Sequence, residues 1–121
     1  MGLAQAREIP ARFVMGFPIS GGGEAAGSTD KVGGYHCWAY FYDTQEGWRP
    51  VDISEADKHP EMAQFFFGNL DENRLEMIGG RDILLAPEPA AGRLNLFIYP
   101  YAESNGFPTS RTTKSFQRTN L

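Results

Sequence analysis

Gly33-Gly34-Tyr35-His36-Cys37-Trp38-Ala39-Tyr40-Phe41-Tyr42-Asp43, answered by Gly47-Trp48-Arg49-Pro50-Val51-Asp52, is the stretch whose reading decides the fold. Two glycines free the backbone ahead of a run of aromatic strand formers. A polar loop ending in Gly47 then separates that run from a second, shorter one. This is the pattern of a β-hairpin. Alternation along a strand puts His36, Trp38, Tyr40 and Tyr42 on one face and Cys37, Ala39 and Phe41 on the other, core-like face. With Tyr42 opposite Glu46, counting outward sets Tyr40 against Trp48, Trp38 against Pro50 and His36 against Asp52. Directly opposed Cβ atoms lie roughly 4.5–5.5 Å apart. A carboxylate at that distance fixes an imidazole's tautomer and stabilises its protonated form, the orienting half of a nucleophile–His–Asp arrangement. A slip of one residue would send Asp52 to the opposite face; the plain alternative is a surface or core His and an Asp that ends a strand.

Composition narrows the remaining classes. A chain of 121 residues makes one domain, able to bury about two-thirds of its unfolded surface. A net charge of −4 and a pI near 5.1 point away from nucleic acid and from acidic membranes. One cysteine allows neither an internal disulfide nor a multi-cysteine zinc site, and no metal or other cofactor is expected. There is no signal-peptide-like apolar run and no apolar stretch of about 18 residues, so a cytoplasmic location is the default.

Along the chain, residues 2–8 suit one or two helical turns, ended by Pro10. Arg12 to Phe17 reads as a strand with Phe13, Met15 and Phe17 on one face. Ser20 to Gly34 holds six glycines and reads as a flexible loop just before His36, placed to act as a lid or simply as surface. Beyond the hairpin, Ser54-Glu55-Ala56-Asp57 is a helical turn with Ser54 as N-cap. His59 to Phe67 is a short helix with Pro60 at its first position, stopped at Gly68-Asn69. At least two of Phe65, Phe66 and Phe67 should pack on the sheet. His59 reads as a solvated loop residue. Short strands are expected at Arg74–Ile78, Asp82–Leu85 and Leu94–Tyr101, the last an edge strand because of Pro100. Residues 103–121 read as a polar, loosely docked tail appended to a domain of residues 1–102, with Arg111, Lys114 and Arg118 merely solvated.

Three blocks carry a resemblance. Ile9-Pro10-Ala11-Arg12-Phe13-Val14-Met15-Gly16-Phe17, then Tyr35-His36-Cys37-Trp38-Ala39-Tyr40-Phe41-Tyr42, then Gly47-Trp48-Arg49-Pro50-Val51-Asp52-Ile53-Ser54-Glu55-Ala56 closely resemble the later part of a bacterial transglutaminase-like, papain-fold domain. The resemblance covers about residues 3 to 56, with Phe67-Gly68-Asn69-Leu70 and Gly80-Arg81-Asp82-Ile83 similar to its continuation. It implies an α+β fold, an antiparallel sheet of four to six strands with short helices, in which His36 and Asp52 serve a cysteine nucleophile in acyl transfer on a protein or peptide substrate. In the family that cysteine opens a helix about twenty residues before the Ile9-Pro10 block. Met1 to Arg7 resemble only that helix's tail, so the resemblance implies a domain truncated ahead of its nucleophile and inactive alone. Glu8 stands where the family usually has a C-cap glycine, and Tyr40 where it usually has an acidic residue.

Cys37 adjoins His36 but points to the opposite face, and is expected to be structural. Trp38, Tyr40 and Trp48, on the His36 face, are candidate substrate contacts. A shortened helix would leave Phe13 or Val14 and the Cys37/Ala39/Phe41 set partly uncovered, inviting self-association. The alternative reading is a non-catalytic interaction module that uses this face and the aromatic surface.

Overall fold

The computed structural model describes residues 1–19, 29–94 and 98–119. Its centre is an antiparallel sheet of four strands: β1 (Ala11–Pro18), β3 (His36–Asp43), β4 (Gly47–Val51) and β5 (Arg74–Gly79), ordered β4-β3-β1-β5. Short helices surround it: α1 (Gly2–Gln5), α2 (Ile53–Lys58), a 3-10 turn at Pro60–Met62 and α3 (Ala63–Phe66). This is the expected α+β class.

The β3–β4 loop shows how local chemistry sets register. Asp43 Oδ1 accepts from the N–H of Gln45 at 2.7 Å and of Glu46 at 3.0 Å. Gly47 supplies the positive φ of +83° that closes the loop, so Asp43 pairs with Gly47 across three residues. Tyr42 therefore faces Trp48, and Tyr40 faces Pro50. The expected pairing of Tyr42 with Glu46 is off by two residues. An even slip preserves the face of every side chain, so His36 and Asp52 still emerge on one side.

β1 crosses the middle of the sheet and pairs with β3 from Ala11↔Phe41 to Gly16↔His36. Its register with β5 shifts between Met15 and Gly16. Glycine is required there: a Cβ on Gly16 would stand 1.9 Å from the Leu75 carbonyl oxygen and 2.6 Å from the Trp38 ring. The bare backbone thus lets the Trp38 indole and β5 close over β1.

One core cluster is Met15, Phe17 and Ile98, with Phe13, Cys37, Ile78, Tyr99 and Phe116 packed around it. Phe116 meets Phe17 with ring centroids 4.5 Å apart. Strands β2 (Thr29–Lys31) and β8 (Gln117–Thr119) pair antiparallel, and the Arg118 guanidinium donates to the Ile19 carbonyl. The last described residues are therefore held by a ladder and an aromatic contact, not loosely docked. Their partner β2 lies in the stretch read as a loop. Residues 20–28 of that proposed lid fall outside the described residues, as do residues 95–97 of the expected Leu94–Tyr101 strand. Ile98 and Tyr99 lie in a turn. The strand expected at Asp82–Leu85 reduces to a single bridge between Ile83 and Leu94. Asn105-Gly106 turns a two-residue hairpin between β6 (Glu103–Ser104) and β7 (Phe107–Pro108), both at positive φ.

Of the three consecutive phenylalanines, Phe66 is the buried one. Phe67 stacks on Phe41 yet remains 63 % exposed, so the expectation that two would be covered fails. An apolar groove of about 590 Å³ explains why. Leu3, Ile9, Ala39, Phe41, Ile53 and Phe67 line it, beside α1. Leu3 is 89 % exposed, because four residues of helix cover little of the sheet. The groove lies on the face expected to be uncovered. Among the described residues, no helix is long and apolar enough to cross a membrane.

Candidate active site

Asp52 leaves the last residue of β4 and caps α2. Its backbone N–H donates to the Phe66 carbonyl at 3.0 Å, which ties the strand end to α3. Its side chain has no exposed surface. Oδ1 accepts from the Glu55 N–H at 3.1 Å and from the Ser54 hydroxyl at 2.9 Å. Asp52, not Ser54, is therefore the N-cap, and Ser54 supports it. The capping pattern is Asp52-x-x-Glu55, two residues before the expected Ser54 start.

The other oxygen faces His36. The imidazole Nε2 lies 2.6 Å from Asp52 Oδ2, with the ring mostly buried and 6.2 Å from the Trp38 ring in a stacked arrangement. Burial alone would push the Asp52 carboxyl up. Hydrogen bonds from His36, the Glu55 N–H and Ser54, together with the His36 charge, outweigh it and hold the carboxyl below the usual range. An ionised Asp52 makes Nε2–H the donor. In the neutral ring Nδ1 then keeps the lone pair, and Nδ1 is the nitrogen that can accept a proton from a nucleophile.

Arg74, from β5, also reaches this oxygen. Its Nη2 donates to Asp52 Oδ2 at 3.3 Å, and the side chain is 8 % exposed. Nothing local announced it: 22 residues separate the pair. Glu55 Oε1 stands 4.0 Å from His36 Nε2 and is engaged by Lys58 at 2.8 Å, which holds the Glu55 carboxyl below its ordinary range. His59 is exposed and faces Glu55 and Glu61.

The three aromatic residues do not form one surface. Trp38 is 4 % exposed and its indole N–H has no partner among the described residues, so it is a packing residue beneath His36. Tyr40 and Trp48 instead hold the Arg12 guanidinium between them, 4.7 and 4.8 Å from their centroids. Arg12 and Tyr40 are direct cross-strand partners. Cys37 pairs with Met15 and packs with the core. Burial pushes its thiol up, Asp52 adds to this, and Arg81 opposes it. Among the described residues, no three His, Cys, Asp or Glu side chains converge as a metal site.

The His36–Asp52 contact thus joins the start of β3 to the end of β4. The family model of the transglutaminase-like superfamily matches residues 1–53, a stretch that includes both residues. An uncharacterized protein of Haemophilus influenzae is 33 % identical over 132 aligned positions, which cover 88 % of this chain and 36 % of that protein. The chain thus spans about a third of the length of this relative. No solved structure matches it.

Proposed function

We propose that this chain supplies the His36–Asp52 part of a Cys–His–Asp acyl-transfer site, with the thiol contributed by a segment outside these 121 residues. The observation that carries the reading is the 2.6 Å contact between Nε2 and a fully buried carboxylate, which leaves Nδ1 as the acid–base atom. In the complete site the thiol gives its proton to Nδ1, and the thiolate adds to a carbonyl carbon. The C–N bond then breaks. Nδ1 returns its proton to the departing amine and a thioester remains. Water resolves it to an acid, and a second amine resolves it to a new amide. Asp52 stabilises the imidazolium throughout.

Two further observations support the reading. Cys37 is turned into the core with its thiol pushed up, which suits a structural residue. The groove beside α1 is apolar and suits the rest of a longer helix. Until it is filled, the exposed Leu3, Ile53 and Phe67 make self-association the expected behaviour of the chain.

The test is complementation. This chain is fused to, or mixed with, a segment carrying a cysteine-containing helix ahead of Met1. A glutamine peptide is offered with water or a primary amine as acceptor. Ammonia release or amine incorporation is expected, and should vanish in His36→Ala. Activity of the 121 residues alone, abolished by Cys37→Ser, would overturn the proposal.

A further inference from the structure

Asp52 Oδ2 serves two donors at once, the imidazole on one side and a nearly buried guanidinium on the other. Arg74 Nη2 itself lies 3.3 Å from two carboxylates, Asp52 inside and the part-exposed Asp71 outside. We infer that Arg74 is a positioning residue. Through the oxygen it shares with His36, it sets how much of the Asp52 charge the imidazole receives, and Asp71 sets how firmly Arg74 engages that oxygen.

The argument is electrostatic and geometric. A carboxylate oxygen with two charge-capable donors divides its field between them, and low-dielectric surroundings strengthen each share. Without Arg74, Oδ2 serves His36 alone while Oδ1 keeps the Glu55 N–H and the Ser54 hydroxyl, which favours the imidazolium. Without Asp71, the guanidinium has one carboxylate and competes harder for Oδ2, which disfavours it. The other charged groups at His36 are few. From α2 come Asp52 and Glu55, the latter engaged by Lys58 and His59. From β1 the partner is the uncharged Gly16. From β5 and the turn before it come Arg74 and Asp71. Arg74 and Asp71 both lie beyond residues 1–53, so nothing in the family match assigns them.

The arrangement rests on the proposed function only for its catalytic consequence. The test therefore reads the imidazole directly. The chain has two histidines, so His36 ring signals are assigned by nuclear magnetic resonance with a His59→Asn reference and titrated from pH 4 to 9. Relative to the unsubstituted chain, Arg74→Gln is expected to move the His36 midpoint up by about one pH unit, tenfold in the protonation ratio. Asp71→Asn is expected to move it down. Arg81→Gln makes the same charge change over Phe13 and should leave it in place. Should Arg74→Gln fail to give a folded spectrum, Arg74→Lys keeps the charge and loses the guanidinium geometry. It should give a smaller upward shift, and Asp71→Asn carries the opposite sign independently. Opposite shifts, together with no ammonia release or amine incorporation once the cysteine-bearing segment is supplied, would support the positioning role while refuting the catalytic reading. Unmoved midpoints in folded variants, or shifts of one sign for both, would overturn the inference and leave the function untouched.

Discussion

Replacing Asp52 tests the centre of the structure, and its cost can be worked from the contacts. Asp52→Ala removes an N-cap, worth about 1 kcal/mol. It also strands Arg74. Breaking a buried ion pair by deleting one partner costs about 3–5 kcal/mol, but Arg74 keeps its contact to the part-exposed Asp71, so the lower end of that range, about 3, applies. His36 and the Ser54 hydroxyl lose a partner too, and are better able to find water. The total is about 4 kcal/mol. At about 0.05–0.15 kcal/mol per residue, a domain of this length holds roughly 6–18 kcal/mol. The variant should therefore fold with much of its stability gone. Urea titration at pH 7, followed by fluorescence of the buried Trp38 beside His36, reads it. With a slope of about 2 kcal/mol per molar, the midpoint falls by about 2 M. Asp52→Asn keeps an acceptor for the Glu55 N–H and should lose about half as much. Acid narrows the gap between the unsubstituted chain and Asp52→Asn. The folded carboxyl lies below its ordinary value, so its stabilisation is complete above about pH 4 and disappears as the pH falls through the folded value. A loss under 1 kcal/mol for Asp52→Ala, or a gap to Asn that widens on acidification, would refute this account of the site.

Four further tests probe other parts of the chain. Glu8 sits at φ +57° where α1 stops, with the Ile9 N–H donating to Ala4 and the Glu8 N–H to Gln5, so Glu8→Gly should stabilise by about 0.5–1 kcal/mol in the same assay. Gly16→Ala forces a methyl group into the Leu75 carbonyl; a loss of at least about 2 kcal/mol is expected, and a neutral result would mean that β5 does not close over β1 there. Iodoacetamide should label Cys37 slowly, with a midpoint at or above the ordinary thiol's roughly 8.5, and His36→Ala should leave the rate unchanged; fast labelling at pH 6 that requires His36 would contradict the core placement of the sulfur. Substituting Leu3 and Phe67 by Ser should shift the chain towards monomer in sedimentation, since both line the open groove.

The sheet and the His–Asp pair were legible for a simple reason: strand alternation has period two, and the hairpin error was also two. Tyr42 meets Trp48 and not Glu46, yet every face assignment survives, including His36 with Asp52 and Cys37 away from them. What alternation cannot supply is the neighbour from a distant strand. Arg74 reaches Asp52 only because β5 docks on β1 across a register shift at Gly16, and no local spacing encodes that docking. The same limit hid the β2–β8 pairing, in which Thr29 and Thr119 are 90 residues apart. Trp38 failed differently. Its face was read correctly, but a face is not an exposure, and the side of the sheet that carries His36 is itself packed at Trp38 and Val14. Burial there has a consequence for the site. A His–Asp pair seated on exposed strands would exchange its partners with water. Here the floor beneath His36 is a buried indole, and the carboxylate is closed in by α2 and α3. The imidazole is thus held by packing as well as by charge, which is why removing the Asp52 carboxylate should change stability and the His36 titration together.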